Sequence, residues 1–348
     1  MTGIIQGLLA TFGQVEKYYV AIGHGNTPYM TAYPWDDTSG FGSKYANPAT
    51  LPSSQGAGIS FTKDKTAIAV SSSASPRIQA YPWSDTGFGT KFSDPATLPT
   101  GSTYANSVAF TPASDALAVA HQNTPFITAY PWSSSGFGTK YTNSATLPPS
   151  DSYSAVFNNA GAALIVGSSI VSPRVRAYEW SSSTGFGTVI TPVSQNSGTV
   201  VNDIAFTTSD DAISLAVTNT PYVRTYGWSG VTWGTLITAP TTTPTSFGQA
   251  VQFSPAGDAL LVGHQSSPYI TGYPWTGAYG TKYSDPSTLP PNTVNSINFN
   301  ESGNVVFFST SSSPYILAYS FNSTTGFGTK FSDPATLPAG AGQGISYI

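Results

Sequence analysis

The sequence predicts an all-β chain, a seven-bladed β-propeller of four-stranded antiparallel blades whose ring is closed by the C-terminal strand. Three observations carry this prediction. A motif Ala-Tyr-Pro-Trp, or a near variant, ends at Trp35, Trp83, Trp132, Trp180, Trp228, Trp275 and, degenerate, at Phe321, with spacings of 48, 49, 48, 48, 47 and 46 residues. A second anchor seven residues earlier repeats with the same spacings, at Pro28, Pro76, Pro125, Pro173, Pro221, Pro268 and Pro314. Composition is the third: charged residues are 8% against roughly 25% in an ordinary soluble domain, while 34 glycines and 27 prolines punctuate 348 residues. Long amphipathic helices and coiled coils need charged outer faces that this chain does not supply. Disorder is excluded by 39% hydrophobic and 13% aromatic residues.

Within one unit the elements follow in order. Asn106 to Thr111, Ala116 to His121 and Phe126 to Trp132 are short β-rich runs separated by the turn residues Pro112, Ser114, Asp115, Asn123 and Pro125. A looser fourth run, Gly138 to Thr142, precedes the proline-rich link Ala145 to Pro149. Each such unit buries its faces only against its neighbours, and a closed ring removes the end faces. Seven units consume nearly the whole chain and leave no room for a second domain.

Closure is contested by both termini. Gly58-Ile-Ser-Phe61 reappears as Gly344-Ile-Ser-Tyr347, so the C-terminus reads as the start of another blade. Leu8 to Phe12 fits the same slot. The expectation is that Gly344 to Ile348 closes the first blade beside Tyr18 to Gly23. The domains are then a propeller over 15–348 and an apolar arm over 1–14. That arm carries Ile4, Ile5, Leu8, Leu9 and Phe12, whose exposure would cost roughly 1.5 to 3 kcal/mol each, so it should dock on a partner. The alternative is an N-terminal strand lying within the ring.

A residue that recurs in every blade first solves a packing problem. His24, His121 and His264 lie four residues before an anchor proline in three different blades, which argues against convergence on one metal or proton. Lys44, Lys91, Lys140, Lys282 and Lys330 recur in the Gly-Phe-Gly-Thr-Lys element and read as solvated edge charges, while Asp94, Asp285 and Asp333 recur as turn caps. No Gly-x-Ser-x-Gly elbow is present, and the glutamates Glu16, Glu179 and Glu301 sit in different blades. With no cysteine there is no disulfide, thiolate site or thiol nucleophile. These readings predict no catalytic residue, no metal and no cofactor.

Two binding surfaces remain as expectations. Trp35, Trp83, Trp132, Trp180, Trp228 and Trp275 at strand ends are candidates for stacking on sugar faces, weak singly and gaining avidity by repetition, against a reading in which they pack between blades. Arg77, Arg174, Arg176 and Arg224 are the only arginines, each within three residues after an anchor proline. Three of them fall in the fourth and fifth blades, whose links Val189 to Gly198 and Leu236 to Thr245 have lost the Ser-Asp-Pro-Ala-Thr-Leu-Pro pattern, a candidate basic patch for a partner's carboxylates.

Asn106-Ser-Val-Ala-Phe-Thr-Pro112 followed by Asp115-Ala-Leu-Ala-Val, and Phe253-Ser-Pro-Ala-Gly-Asp258, resemble the WD-repeat pattern, although Tyr-Pro-Trp replaces the Trp-Asp dipeptide and the family's Gly-His dipeptide between units is absent. The whole unit, with its Gly-Phe-Gly-Thr-Lys and Pro-Ala-Thr-Leu-Pro elements, resembles the regular propeller repeats of tailed-bacteriophage structural proteins. That resemblance implies a non-enzymatic virion component, a capsid decoration or tail-associated attachment protein. Its expected partners are other capsid or tail proteins and host-surface glycans. The N-terminal sequence lacks a signal peptide's basic region, which fits assembly in the host cytoplasm and release by lysis. No apolar run is long enough for a membrane-spanning helix, and a net charge of −4 offers no footprint for nucleic acid. A free multivalent lectin is the alternative. A propeller-family hydrolase ranks third, because it would need an asymmetric cluster of titratable groups at the central channel.

Overall fold

The structure, a computed structural model, describes residues 16–100, 104–169, 171–191 and 199–348. The arm residues Ile4, Ile5, Leu8, Leu9 and Phe12 lie outside the described residues. Among the described residues, seven antiparallel sheets form the ring, six of four strands and one of three. In each, the first strand lines the axis and the later ones step outward. The second strands, such as Ala67–Ser72, Ala116–His121 and Ala259–His264, are buried along all six residues. Blades cover both of their faces, which is why they read as continuous runs of Ala, Val, Ile and Leu rather than as an alternation.

In the third blade the strands are Ala105–Phe110, Ala116–His121, Ile127–Ser133 and Gly136–Phe137. The first three match the expected runs to within a residue. The fourth does not, because Gly136 at φ 96° turns the chain straight back, pairing Ser133 with Gly136 and Trp132 with Phe137. Gly138 to Thr142 is thus no strand, although Tyr141 N–H still reaches the Ala129 carbonyl at 3.0 Å. In the sixth blade, Gly248–Phe253, Ala259–His264 and Ile270–Pro274 are followed only by a Trp275–Tyr279 bridge. The anchor prolines all follow cis peptide bonds, in the turns between second and third strands.

The C-terminal strand Gly342–Tyr347 takes the innermost place of the first blade, ahead of Tyr18–His24, Met30–Asp36 and Gly40–Phe41. Val20 faces Tyr347 and Ile22 faces Ile345, and the Ile348 N–H and carbonyl bond Tyr19 at 3.0 and 2.8 Å. Ring closure by the C-terminal strand is therefore as the repeat predicts.

Links between blades are held by the motif tyrosines. Tyr33, Tyr130, Tyr178, Tyr273 and Tyr319 donate their hydroxyls to the carbonyls of Thr336, Thr97, Thr146, Thr242 and Thr288, at 2.7 to 3.0 Å. These threonines belong to the links that precede each blade, including the irregular one at Thr242. The repeated Tyr and the repeated proline-rich link are thus two halves of one contact.

Candidate functional site at the central channel

The six tryptophans proposed to stack on sugars are 3–7% exposed. Trp132 is typical: Phe137 of its own outer strand, Phe110 of its inner strand and Phe92 of the preceding link meet it edge-on, with centroids 5.1, 5.2 and 5.1 Å away. Trp35, Trp83, Trp180, Trp228 and Trp275 lie in corresponding aromatic clusters. Their faces are spent on packing, so the structure corrects the stacking expectation for all six.

Arg77 and Arg174 each follow a cis-proline at a hairpin turn, Arg77 being buried. Arg176 and Arg224 occupy equivalent points of Val175–Ser181 and Val223–Ser229, the third strands of adjacent blades. Lys91, Lys282 and Lys330 pair with Asp94, Asp285 and Asp333 three residues on, across exposed links. The histidines do not converge: Nε2 of His24, His121 and His264 meets the hydroxyl of Thr31, Thr128 and Thr271 at 2.9, 2.8 and 3.0 Å, each within its own blade. Burial lowers each imidazole pKa to about 4, so all three are neutral at pH 7. Among the described residues no group of three or more His, Cys, Asp or Glu is placed to hold a metal ion.

The concavity that draws on all seven blades is the mouth of the central channel, a cavity of about 360 Å³, toward the small end of the range for small-molecule sites. Its wall is made by the start of the innermost strands: Gly342–Tyr347, Gly56–Phe61, Ala105–Phe110, Ser152–Phe157, Val201–Phe206, Gly248–Phe253 and Val294–Phe299. Every one of them shifts register at its first residues, between Ala105 and Ser107 or between Val201 and Asp203 for example. Such a bulge inserts a residue that leaves the ladder and re-aims its side chain. The inserted residues include Asn106, Asn202 and Asn295, whose Nδ2 donates to the first carbonyl of the next blade's inner strand (Ser152, Gly248 and Gly342) at 2.8, 2.7 and 2.7 Å.

The position after the inserted residue is Gly58, Ser107, Ser154, Ala250, Ser296 and Gly344 in six blades, and Asp203 in the fifth. It is the one charged residue among those lining the mouth. Val251 N–H donates to its Oδ2 at 3.0 Å and the Ser154 hydroxyl to its Oδ1 at 3.3 Å, tying together three consecutive blades. Ser296 makes the smaller version of this contact, accepting Ile345 N–H at 3.3 Å. Enclosure by the ring pushes the Asp203 carboxyl up from 3.8 to about 6, and the hydrogen bonds from Val251 and Ser154 offset only part of that desolvation. Each carboxylate oxygen has a second lone pair, so a bound water can still be engaged. The sequence reading missed this residue. Its signal was a charge standing where every other repeat has a small side chain.

No protein-family model and no curated protein matches the chain. Solved structures do. A Bacteroides fragilis protein with a provisional 6-phosphogluconolactonase assignment is similar at 10% identity and a TM-score of 0.75, covering 95% of this chain and 98% of its own. A Bacteroides uniformis protein so assigned gives 14% identity and a TM-score of 0.72 over 95% and 99%. The periplasmic gluconolactonase of Pseudomonas aeruginosa gives 14% and 0.71 over 96% and 99%. Likeness at such identities shows the fold alone. The neighbours are named for lactone hydrolysis and not as phage particle components, which overturns the expectation of a non-enzymatic virion protein on capsid or tail and moves the functional question into the channel.

Proposed function

We propose that the chain hydrolyses a small polyhydroxylated cyclic ester at the mouth of the central channel, with Asp203 as general base. The observation that carries this reading is the lone carboxylate, set in a ring of small and carboxamide side chains and raised to about 6. A base with its pKa near the working pH is both largely ionised and basic enough to take a proton from water. The names of the structural neighbours support the same class of reaction.

The chemistry balances with this chain's own residues. Asp203 takes one proton from a water whose oxygen adds to the ester carbonyl. The tetrahedral oxyanion is met by a carboxamide N–H of the lining, for which we assign Gln249, the inserted residue of the next blade, since the amide of Asn202 beside Asp203 already donates to the Gly248 carbonyl. Collapse breaks the ring C–O bond, and the leaving alkoxide receives the proton from Asp203, giving the open hydroxy acid.

The test is proton release from glucono-1,5-lactone, corrected for the spontaneous rate, between pH 5 and 7.5. Catalysis should rise through about pH 6 to a plateau, and Asp203→Asn should lower kcat by roughly 10² to 10⁴ with the circular dichroism spectrum unchanged. A folded Asp203→Asn protein that keeps the wild-type rate would sink the assignment.

A further inference from the structure

We infer that the channel mouth selects an uncharged pyranose ring and rejects its phosphorylated counterpart, a reading that rests on the channel being the binding site but not on catalysis there. Two independent features carry it. The first is charge. No Lys, Arg or His stands among the residues lining the mouth, and the one ionisable acid there is Asp203. Phosphate recognition calls for guanidinium or ammonium donors. Here the donors are neutral carboxamides, Gln55, Gln249 and Gln343 among them, and a phosphate on a ring bound beside Asp203 would face a carboxylate in an enclosed site, where like charges repel more strongly than in water.

The second feature is an aromatic face left in water. Tyr104, directly before the third blade's inner strand, is 46% exposed and lines the mouth. Tyr153, the inserted residue of the next blade, lines it too. The seven-fold repeat does not fix either ring: Tyr104 stands where the other blades carry Gln55, Asp151, Val200, Phe247, Thr293 and Ala341, Tyr153 where they carry Ala, Asn or Gln, and nearly half of Tyr104 is open to water. Carboxamides beside an open aromatic face suit a ligand that is hydroxylated at its edge and carbon-lined on its flat side, which is the character of a pyranose.

The experiment is equilibrium binding, followed by ligand-observed NMR at pH 8, of 1,5-anhydroglucitol and its 6-phosphate. Neither has a lactone carbonyl to attack. The neutral ring should bind and the phosphate at least tenfold more weakly. Asp203→Asn should narrow that ratio, and Gln249→Lys, which brings a cation to the mouth, should reverse it. Tyr104→Ala should weaken both ligands several-fold and leave the ratio unchanged. Equal or tighter binding of the phosphate by the wild type, or no binding of the neutral ring, would overturn the inference. Selective binding without lactone turnover would instead overturn the catalytic role of Asp203 and leave the selection standing.

Discussion

Between pH 4 and 6, Asp203 should couple folding to protonation in the direction opposite to most carboxylates, because its pKa in the folded chain is about 6 against an ordinary 3.8. Stability from this group is fully present below 3.8 and is lost as the pH rises through about 6. Above that, the ionised carboxylate costs on the order of 3 kcal/mol. Asp203→Asn keeps an amide oxygen for Val251 N–H and removes the charge, so at pH 8 it should be more stable than the wild type by on the order of 1 to 3 kcal/mol. Urea unfolding should show the gap closing near pH 4. A less stable Asp203→Asn protein at pH 8 would mark the carboxylate as a clasp between blades rather than a group held ionised for chemistry. The histidines act with the other sign. Lowered from 6.5 to about 4, His24, His121 and His264 contribute stability present above pH 6.5 and lost as the pH falls through about 4. Three such groups outweigh one aspartate, so the wild-type melting temperature should fall over that window. His121→Ser, which copies the second blade's Ser72, should make the fall shallower.

At the scale of the blade, the contact of motif tyrosine with link carbonyl can be tested by comparing two equivalent positions. Tyr130 bonds the Thr97 carbonyl at 2.7 Å, whereas the buried Tyr81 hydroxyl has no partner among the described residues. Tyr130→Phe should therefore cost about 1 kcal/mol in denaturant unfolding, and Tyr81→Phe nothing or less than nothing, since it removes an unpaired buried hydroxyl. Equal losses would show that the hydroxyl's partner is not what holds the link. The blades themselves were legible in the sequence because repeated residues report repeated packing: Ala116 to His121 is a strand in both readings. The outer strand was not, because one glycine turn moves it two residues toward the motif tryptophan. The channel site was hidden for a related reason. Strict alternation sends Asn202 and Asp203 to opposite faces, and only the register shift after Val201 brings both to the mouth.

For the whole ring, the two termini should be unequal in their effect on stability. The innermost place of the first blade is filled by Gly342–Tyr347, so the ring as described needs nothing before residue 16 to close. The closing strand is tied on both sides. Tyr347 stacks between Tyr18 and Phe307, with centroids at 5.7 and 5.2 Å, while Ile345 and Tyr347 belong to the core shared by the first and seventh blades. Removing residues 342–348 would strip one face from each of Tyr18–His24 and Val294–Phe299 and leave two open ends on a structure whose stability comes from neighbour contacts. A chain of this size is stable by about 5 to 15 kcal/mol in all, and loss of several buried apolar side chains at roughly 1.5 to 3 kcal/mol each consumes most of it. Deletion of residues 342–348 should therefore abolish cooperative thermal unfolding or leave the chain insoluble. Deletion of residues 1–14 should shift the melting temperature by no more than a few degrees. Scanning calorimetry of the two deletions decides the matter: loss of the cooperative transition on removing residues 1–14 would mean that the ring depends on that segment after all, and that closure is shared between the two ends of the chain.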